Sequence, residues 1–337
     1  MSAARSREVQ LAARPIGEPK LSDFKLVERE LPPIGDGEVL VRNIVMSVDP
    51  YMRGRMNDVK SYVPPFALNE TLQGGAIGRV EESRNPAFKP GDIVQNGLGW
   101  RTRFISNGAG LGVIDVSKAG LTTYLGVLGG TGFSAYVGLL DLGQPKAGET
   151  VFVSAAAGAV GSVAGQIARI KGCRVVGSAG SDVKARFLTS ELGFDAAINY
   201  RVETLDDALG AACPEGIDVY FDNVGGDHLQ AALNHMNVNG RIAACGMISQ
   251  YNNTEPVPGP NNLAAIVRQR LTIRGFIVSD HFARHDAFVA DMSGWLRDGK
   301  MKNPETVVDG IENAAEAFIG LLRGENLGKM LVRLSSD

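Results

Sequence analysis

The chain carries one run whose residue types and order could hold a nucleotide, TVFVSAAAGAVGSVAGQIARIKG. A β-branched stretch enters a turn of small residues and leaves it as an amphipathic segment. On the template G-x-G-x-x-G, the three positions fall on Ala156, Gly158 and Gly161, with Gly165 one turn later. Gly158 lets backbone approach a pyrophosphate, and Gly161 lets helix pack close to strand. The helix N-terminus then offers unpaired N–H groups to the anion. Alanine replaces the first glycine, so the reading rests on the order strand, turn, helix. About 20 residues further on, an NAD site would place Asp or Glu for the ribose 2'-OH. The chain has Gly177, Ser178 and Ala179 there, in CRVVGSAGSDVKAR. Ser178 and Lys184 suit a 2'-phosphate instead, so NADPH is expected over NADH, although an isolated lysine such as Lys184 also reads as a solvated helix residue.

The other reactive side chains narrow the chemistry. Zinc-dependent alcohol oxidation needs Cys, His and Glu ligands to stabilise an alkoxide. The cysteines are Cys173, Cys213 and Cys245, and the histidines are His228, His235, His281 and His285, so nothing before residue 173 is either type. A zinc site of the usual type is therefore not expected, and no metal is assigned. His281 and His285 lie four apart in HFARH without the glutamate of H-E-x-x-H, and read as surface helix residues, as do His228 and His235. A metal-free hydride enzyme suits an acceptor that hydrogen bonds alone can polarise. An α,β-unsaturated carbonyl fits: hydride adds to the β-carbon, charge collects on oxygen as an enolate, and the α-carbon is protonated. Tyr O–H donors can stabilise such an oxygen. Quinones fit for the same reason.

These residues need a scaffold, and the periodicity supplies one. From residue 150, β-branched runs alternate with amphipathic stretches, the pattern of βαβ units on a parallel sheet. Strands are predicted at 150–154, 174–177, 196–199, 217–222, 241–244 and 271–277. Helices are predicted at 160–171, 182–192, 205–212, 228–236 and 262–270. That is a doubly wound Rossmann sheet of order 3-2-1-4-5-6. The first 120 residues are strand-like and rich in Pro and Gly turns, which suggests an antiparallel, barrel-like domain. A helix at 313–322 and a strand at 330–334 close the chain. The expected domains are 1–125, 126–298 and a return segment, 299–337.

Composition sets outer limits. Apolar residues make up 44% of 337, enough for a core, and the 42 glycines have no three-residue period, which excludes collagen. A formal net charge of -3 gives no field for nucleic acid or an anionic membrane. The uncharged stretches 119–140 and 150–168 are glycine- and alanine-rich and read as buried α/β core rather than membrane spans. An odd number of widely spaced cysteines and a start without a signal-like apolar run suggest a reducing, cytoplasmic setting.

Several runs together resemble one family: AAAGAVGSVAGQIARIKGCRVVGSAGSDVK, FDNVGGDHL, ACGMISQYN, RGFIV, ENLGKMLV, VDPYMRGRM and GFSAYVGLLDLGQPKAGETVFV. They are similar to the zinc-independent medium-chain dehydrogenase/reductase superfamily, in its branch of prostaglandin reductases, alkenal double-bond reductases and curcumin reductases. The resemblance implies a GroES-like catalytic domain, a Rossmann domain, an active site in the cleft between them, a homodimer, and NADPH-dependent reduction of an enone or enal. It implies that Gly158, Ala159, Val160 and Gly161 line the pyrophosphate and that Lys184 and Tyr200 sit by the 2'-phosphate. It places Asn223, and the loop Cys245, Gly246, Ser249 and Tyr251, at strand ends facing the cofactor. Phe276, Ile277 and Val278 would approach the nicotinamide, although without the resemblance they read as sheet core, and Asn326 would return from the C-terminal segment. Cys245 reads as a small lining residue. For the substrate, the candidate phenols are Tyr251, which ends the cofactor loop, Tyr51 in VDPYMRG and Tyr62 in SYVPPF. Arg53 and Arg55 flank the same motif, with structural and anion-positioning roles both open. Thr131 departs from the proline common in the family. A quinone reductase and a non-catalytic NADPH-binding protein are the alternatives.

Overall fold

The computed structural model describes residues 4–117 and 119–335. It divides into two compact units, residues 1–125 with 305–337, and residues 126–304.

The first unit begins with a hairpin of β1 (Arg5–Leu11) and β2 (Phe24–Glu30), followed by β3 (Val39–Ser47) and the one-turn helix α1 (Tyr51–Arg55). Strands β4 (Ala76–Ser83), β5 (Ile93–Asn96), β6 (Arg103–Ser106) and β7 (Gly112–Val113) complete its N-terminal part. β3 is buried along nearly its whole length because it pairs antiparallel with β4 and with β6.

The second unit opens with α2 (Gly130–Val137), which runs on into a π-helical stretch, Gly138–Gly143. Then come β8 (Thr150–Val153), α3 (Ala159–Ile170), β9 (Arg174–Ala179), α4 (Asp182–Ser190), β10 (Ala196–Asn199), α5 (Leu205–Ala212), β11 (Ile217–Asp222), α6 (Gly226–His235), β12 (Met236–Ala244), α7 (Ala264–Gln269) and β13 (Thr272–Gly275). Helix α8 (His285–Arg297) follows. The strand order is β10-β9-β8-β11-β12-β13, all neighbours parallel, which is the predicted order 3-2-1-4-5-6. Every residue of β8 is buried, as a central parallel strand with helices on both faces requires. β12 starts earlier than predicted because Met236 is buried and already pairs with Ile217. β13 is shorter than predicted and exposed along its length, since it forms the sheet edge.

The chain then returns to the first unit with β14 (Glu305–Asp309), α9 (Ala314–Leu322) and β15 (Lys329–Arg333). β15 pairs antiparallel with β3, and the resulting seven-stranded sheet is antiparallel except where β14 meets β15. Its core centres on Trp100, whose ring stacks on Phe24 and meets Phe318 edge-on.

Two histidine expectations are corrected. His228 is only 6% exposed, so it is a core residue rather than a helix-surface one. His281 and His285 do not share a helix: His281 sits at a kink with φ -107° and ψ 19°, and His285 begins α8. The two glycine-rich stretches form short helices and β8, and among the described residues no helix is long and apolar enough to cross a membrane.

Candidate functional site

In the second unit, β8 enters its turn through Ala155, held at φ +48°. Ala156 N–H donates to the Ser178 carbonyl at 2.9 Å and Gly158 N–H to the Ala155 carbonyl at 3.0 Å, which fixes the turn between β8 and β9. Gly158 is the N-cap of α3, with no side-chain cap and no acid in the first turn. By contrast, α4 is capped by Ser181 and carries Asp182 in its first turn. The start of α3 is thus left to an external anion. A Cβ on Gly161 would lie 2.4 Å from the Ala155 carbonyl oxygen and 2.8 Å from the Ala156 Cα, so glycine is required there for the helix to close on the turn. The cradle is backbone with small side chains, and it fits a pyrophosphate.

At the other end of that cradle, Ser178 is fully buried and its Oγ has no hydrogen-bond partner among the described residues. This corrects the expectation that its hydroxyl meets a 2'-phosphate, because an enclosed oxygen cannot reach a surface ligand. Longer polar side chains gather at the neighbouring β9–α4 turn instead. A Cβ on Gly180 would lie 2.9 Å from the Tyr200 Oη and 3.4 Å from the Arg201 Nε. Tyr200 and Arg201 therefore converge on the β9–α4 turn, and Lys184 stands in the first turn of α4. Arg201 was missed in the sequence, although a base directly after Tyr200 was a readable signal.

One buried carboxylate ties the end of β11 and the turn after it to the end of β8. Asp222 Oδ1 accepts from Tyr220 Oη at 2.6 Å, Gly225 N–H at 2.8 Å, Val224 N–H at 2.9 Å and Ser154 Oγ at 3.2 Å. Burial raises its pKa above the usual carboxylate range, against the hydrogen bonds that lower it. Asn223 donates its N–H to Ser154 Oγ and its Nδ2 to the Ser154 carbonyl, so its amide nitrogen is bound to the end of β8. Gly225 and Gly226 follow at φ +69° and +50°, and a Cβ on Gly225 would meet the Met247 Sδ at 2.3 Å. The N–H groups of Cys245 and Gly246 both donate to the Asp222 carbonyl, and Ser249 Oγ donates to the Val224 carbonyl at 2.6 Å. Burial pushes the Cys245 thiol up to about 12, which makes it a protonated spacer and not a nucleophile. The loop ends with Tyr251, whose Oη accepts from Met247 N–H at 3.4 Å and lies beside Gly246. Just past β13, Phe276 and Val278 pack against the unit's core. The Phe276 ring lies over Gly138 and meets His281 edge-on at 6.2 Å, with Ile277 between it and Val278.

In the first unit, the two candidate phenols gather around Arg55. Its Nε donates to the Pro64 carbonyl at 2.9 Å and its Nη2 to Gln73 Oε1 at 3.1 Å, while the guanidinium lies 3.9 Å above the Phe66 ring. It also hydrogen-bonds Tyr51 and lies within electrostatic reach of Tyr62. Tyr51 is 38% exposed and Tyr62 61% exposed. Enclosure of the phenol, then the Asp49 carboxylate, raises the Tyr51 pKa well above the ordinary phenol value, so its proton stays in place. Asp49 is itself held by Ser47 and by buried Lys329, whose Nζ lies 2.7 Å from Oδ1. Arg53, in contrast, is buried and donates to the carbonyls of Gly17 and Pro15 and to Asn57 Oδ1, which is a structural role. Asn326 is buried and donates to the Gly328 carbonyl at 2.7 Å, shaping the turn before β15. Thr131, in the second unit, caps its own turn by donating to the Gly126 carbonyl. Among the described residues, no group of three His, Cys, Asp or Glu side chains could hold a metal ion.

A chain that combines a doubly wound sheet, its first turn shaped for a pyrophosphate, with an antiparallel unit carrying phenols belongs to the dinucleotide-dependent oxidoreductase class. Comparison agrees. Residues 7–114 match the family model described as N-terminal domain of oxidoreductase, and residues 159–293 match the one described as zinc-binding dehydrogenase. The chain is 44% identical to the NADPH-dependent curcumin reductase of Escherichia coli (strain K12), over 99% of this chain and 98% of that protein. It is 46% identical to prostaglandin reductase 1 of Mus musculus, over 94% and 95%. The crystal structure of CurA in complex with NADPH from Vibrio vulnificus superposes with a TM-score of 0.93 at 43% identity, over 99% and 100%. The chain belongs to the zinc-independent medium-chain dehydrogenase/reductase superfamily, in the branch of prostaglandin, alkenal and curcumin reductases.

Proposed function

We propose that this chain is an NADPH-dependent reductase of the carbon–carbon double bond of α,β-unsaturated ketones and aldehydes, including curcumin-like dienones and oxo-prostaglandin-like enones. The observation that carries the reading is an anion cradle at α3, with Lys184, Tyr200 and Arg201 at its 2' end, in a chain that gathers the phenols Tyr51 and Tyr62 around Arg55. The E. coli and mouse relatives are named for reductions of this class, and the V. vulnificus structure was determined with NADPH.

The cofactor, when bound, supplies a hydride. Gly158 to Gly161 would hold its pyrophosphate, and the loop Gly246–Tyr251 with Phe276–Val278 would line the nicotinamide end. Tyr51 donates its O–H to the substrate carbonyl oxygen, which carries the negative charge of the enolate once hydride has reached the β-carbon. Tyr251, on the cofactor loop of the second unit, and Tyr62, in SYVPPF of the first, are the other candidate phenols. The α-carbon then takes up a proton, giving the saturated carbonyl.

The same reading includes a homodimer and a cytoplasmic setting. The exposed edge strand β13, with Ile273 on it and Val267 and Leu263 beside it, supports pairing with a second copy. Sedimentation at the monomer mass would remove that part. The three cysteines are unpaired thiols, which suits a reducing compartment. The test of activity is NADPH consumption across enals, dienones, oxo-prostaglandins and quinones, with and without a chelator. Enal or enone turnover unaffected by the chelator is expected; binding of NADPH without reduction of either would overturn the reading. In Tyr251→Phe, kcat/KM is expected to fall about tenfold or more. An unchanged value takes Tyr251 out of the reaction.

A further inference from the structure

Behind the residues at the 2' end of the cradle lies a histidine that the reaction does not use. His228 stands in the first turn of α6 and is 6% exposed. Its Nε2 is enclosed and has no hydrogen-bond partner among the described residues. Burial lowers its pKa to about 4, so the imidazole is neutral under ordinary conditions. An enclosed polar atom without a partner costs about 1–3 kcal/mol, and its retention calls for a reason. A ligand cannot supply that reason directly, because protein atoms already surround the nitrogen.

What the imidazole ring does meet is Tyr200. The two centroids are 4.9 Å apart and the planes cross at 77°, the edge-to-face arrangement in which aromatic rings attract. Tyr200 is 38% exposed, and its hydroxyl is the one that reaches the Gly180 turn. A half-exposed tyrosine at a strand end has rotamers open to it, and the buried ring behind it selects among them. Position 228 follows the Gly225–Gly226 turn, whose conformation is set by Asp222. The ring is therefore mounted just after a turn held by several hydrogen bonds to one carboxylate.

We propose that His228 is a positioning residue for cofactor choice: it holds the Tyr200 phenol edge-on, so that its hydroxyl stays on the Gly180–Ser181 turn where a 2'-phosphorylated adenosine is preferred over an unphosphorylated one. This rests on the NADPH reading above. The small neutral imidazole fits behind the phenol, and no charge is brought to the phosphate itself.

The test is calorimetric titration with two fragments, 2',5'-ADP, which carries the 2'-phosphate, and 5'-ADP, which lacks it. In His228→Ala, the affinity for 2',5'-ADP is expected to fall about tenfold while that for 5'-ADP moves less than about twofold. His228→Phe keeps a ring behind the phenol and is expected to restore the preference to within about threefold. Tyr200→Phe should show the same selective loss, and adding His228→Ala to it should cause no further loss, since both act on one hydroxyl. Should His228→Ala fail to fold, His228→Gln, which keeps a polar side chain but no ring, takes its place with the same expectation. Equal weakening of both fragments, no weakening, or additive losses in the double variant would each overturn the proposal. Failure of the unaltered protein to bind 2',5'-ADP would instead overturn the NADPH reading.

Discussion

The cradle at the start of α3 and the phenol cluster around Arg55 are built from opposite materials. The cradle is made of backbone and the absence of side chains: Ala155 at positive φ, an uncapped Gly158, and Gly161 pressed against the Ala155 carbonyl. The cluster is made of long side chains, with Arg55 stapling Pro64, Gln73 and Phe66 while it meets Tyr51. The first can be destroyed by adding atoms, the second by removing them. A backbone site thus tolerates almost no substitution, and a side-chain site loses function one group at a time.

The largest expected effect comes from adding atoms to the cradle. Gly161→Val puts a branched side chain where even a Cβ would sit 2.4 Å from a backbone oxygen. Backbone cannot yield as a flexible side chain does, so a loss of about 3 kcal/mol, at the upper end for overpacking, is expected. Nucleotide affinity should fall with it by about a hundredfold or more, since the helix N-terminus moves away from the turn. Thermal melting and NADPH titration would check both, and a variant that keeps its melting temperature would show the close approach to be dispensable.

Removing one atom from the phenol cluster should do something different. Tyr51→Phe deletes a hydroxyl on a half-exposed ring and leaves the packing in place. The expected result is a fall in kcat/KM of about a hundredfold, the scale of one lost oxyanion donor. NADPH affinity and melting temperature should stay as they were. Stopped-flow reduction of an enal alongside NADPH titration separates the two. A change in NADPH affinity without a change in rate would place Tyr51 on the wrong side of the comparison.

The contrast also explains what could be read from the chain. The six-stranded order was legible, because β-branched runs and amphipathic stretches alternate without interruption from Thr150 to Gly275. The passage from β8 through a tight turn into α3 was legible too, because a β-branched run, small residues and an amphipathic stretch follow one another there. Side-chain direction was harder. Ser178 lies on a strand buried on both faces, so alternation says nothing about which side its hydroxyl faces. Arg53 and Arg55 are two apart on one helical turn, so they face different ways, one into the core and one over Phe66. His228 sits among polar neighbours in GGDHLQAALNH, and only the packing of α6 against the sheet buries it. Such features depend on tertiary neighbours, which local pattern does not carry.

The smallest expected effect tests whether the small residues of the cradle are equivalent. Ala155 has a Cβ in the left-handed region, where an L-residue is disfavoured by roughly 1 kcal/mol. Glycine removes that strain but gains freedom in the unfolded chain, which offsets about half or more of the benefit. Ala155→Gly is therefore expected to stabilise the protein by about 0.5 kcal/mol, read as a higher urea midpoint with unchanged slope. NADPH affinity should stay within about twofold, because the turn keeps its backbone path. The sign is the informative part. Six residues apart, alanine-to-glycine would stabilise while glycine-to-valine would destabilise, because Ala155 is strained by its own φ and a side chain at position 161 would strike the Ala155 carbonyl. If Ala155→Gly instead lowered the midpoint, the Cβ would be contributing packing that outweighs its strain, and the cradle would owe part of its shape to side chains after all.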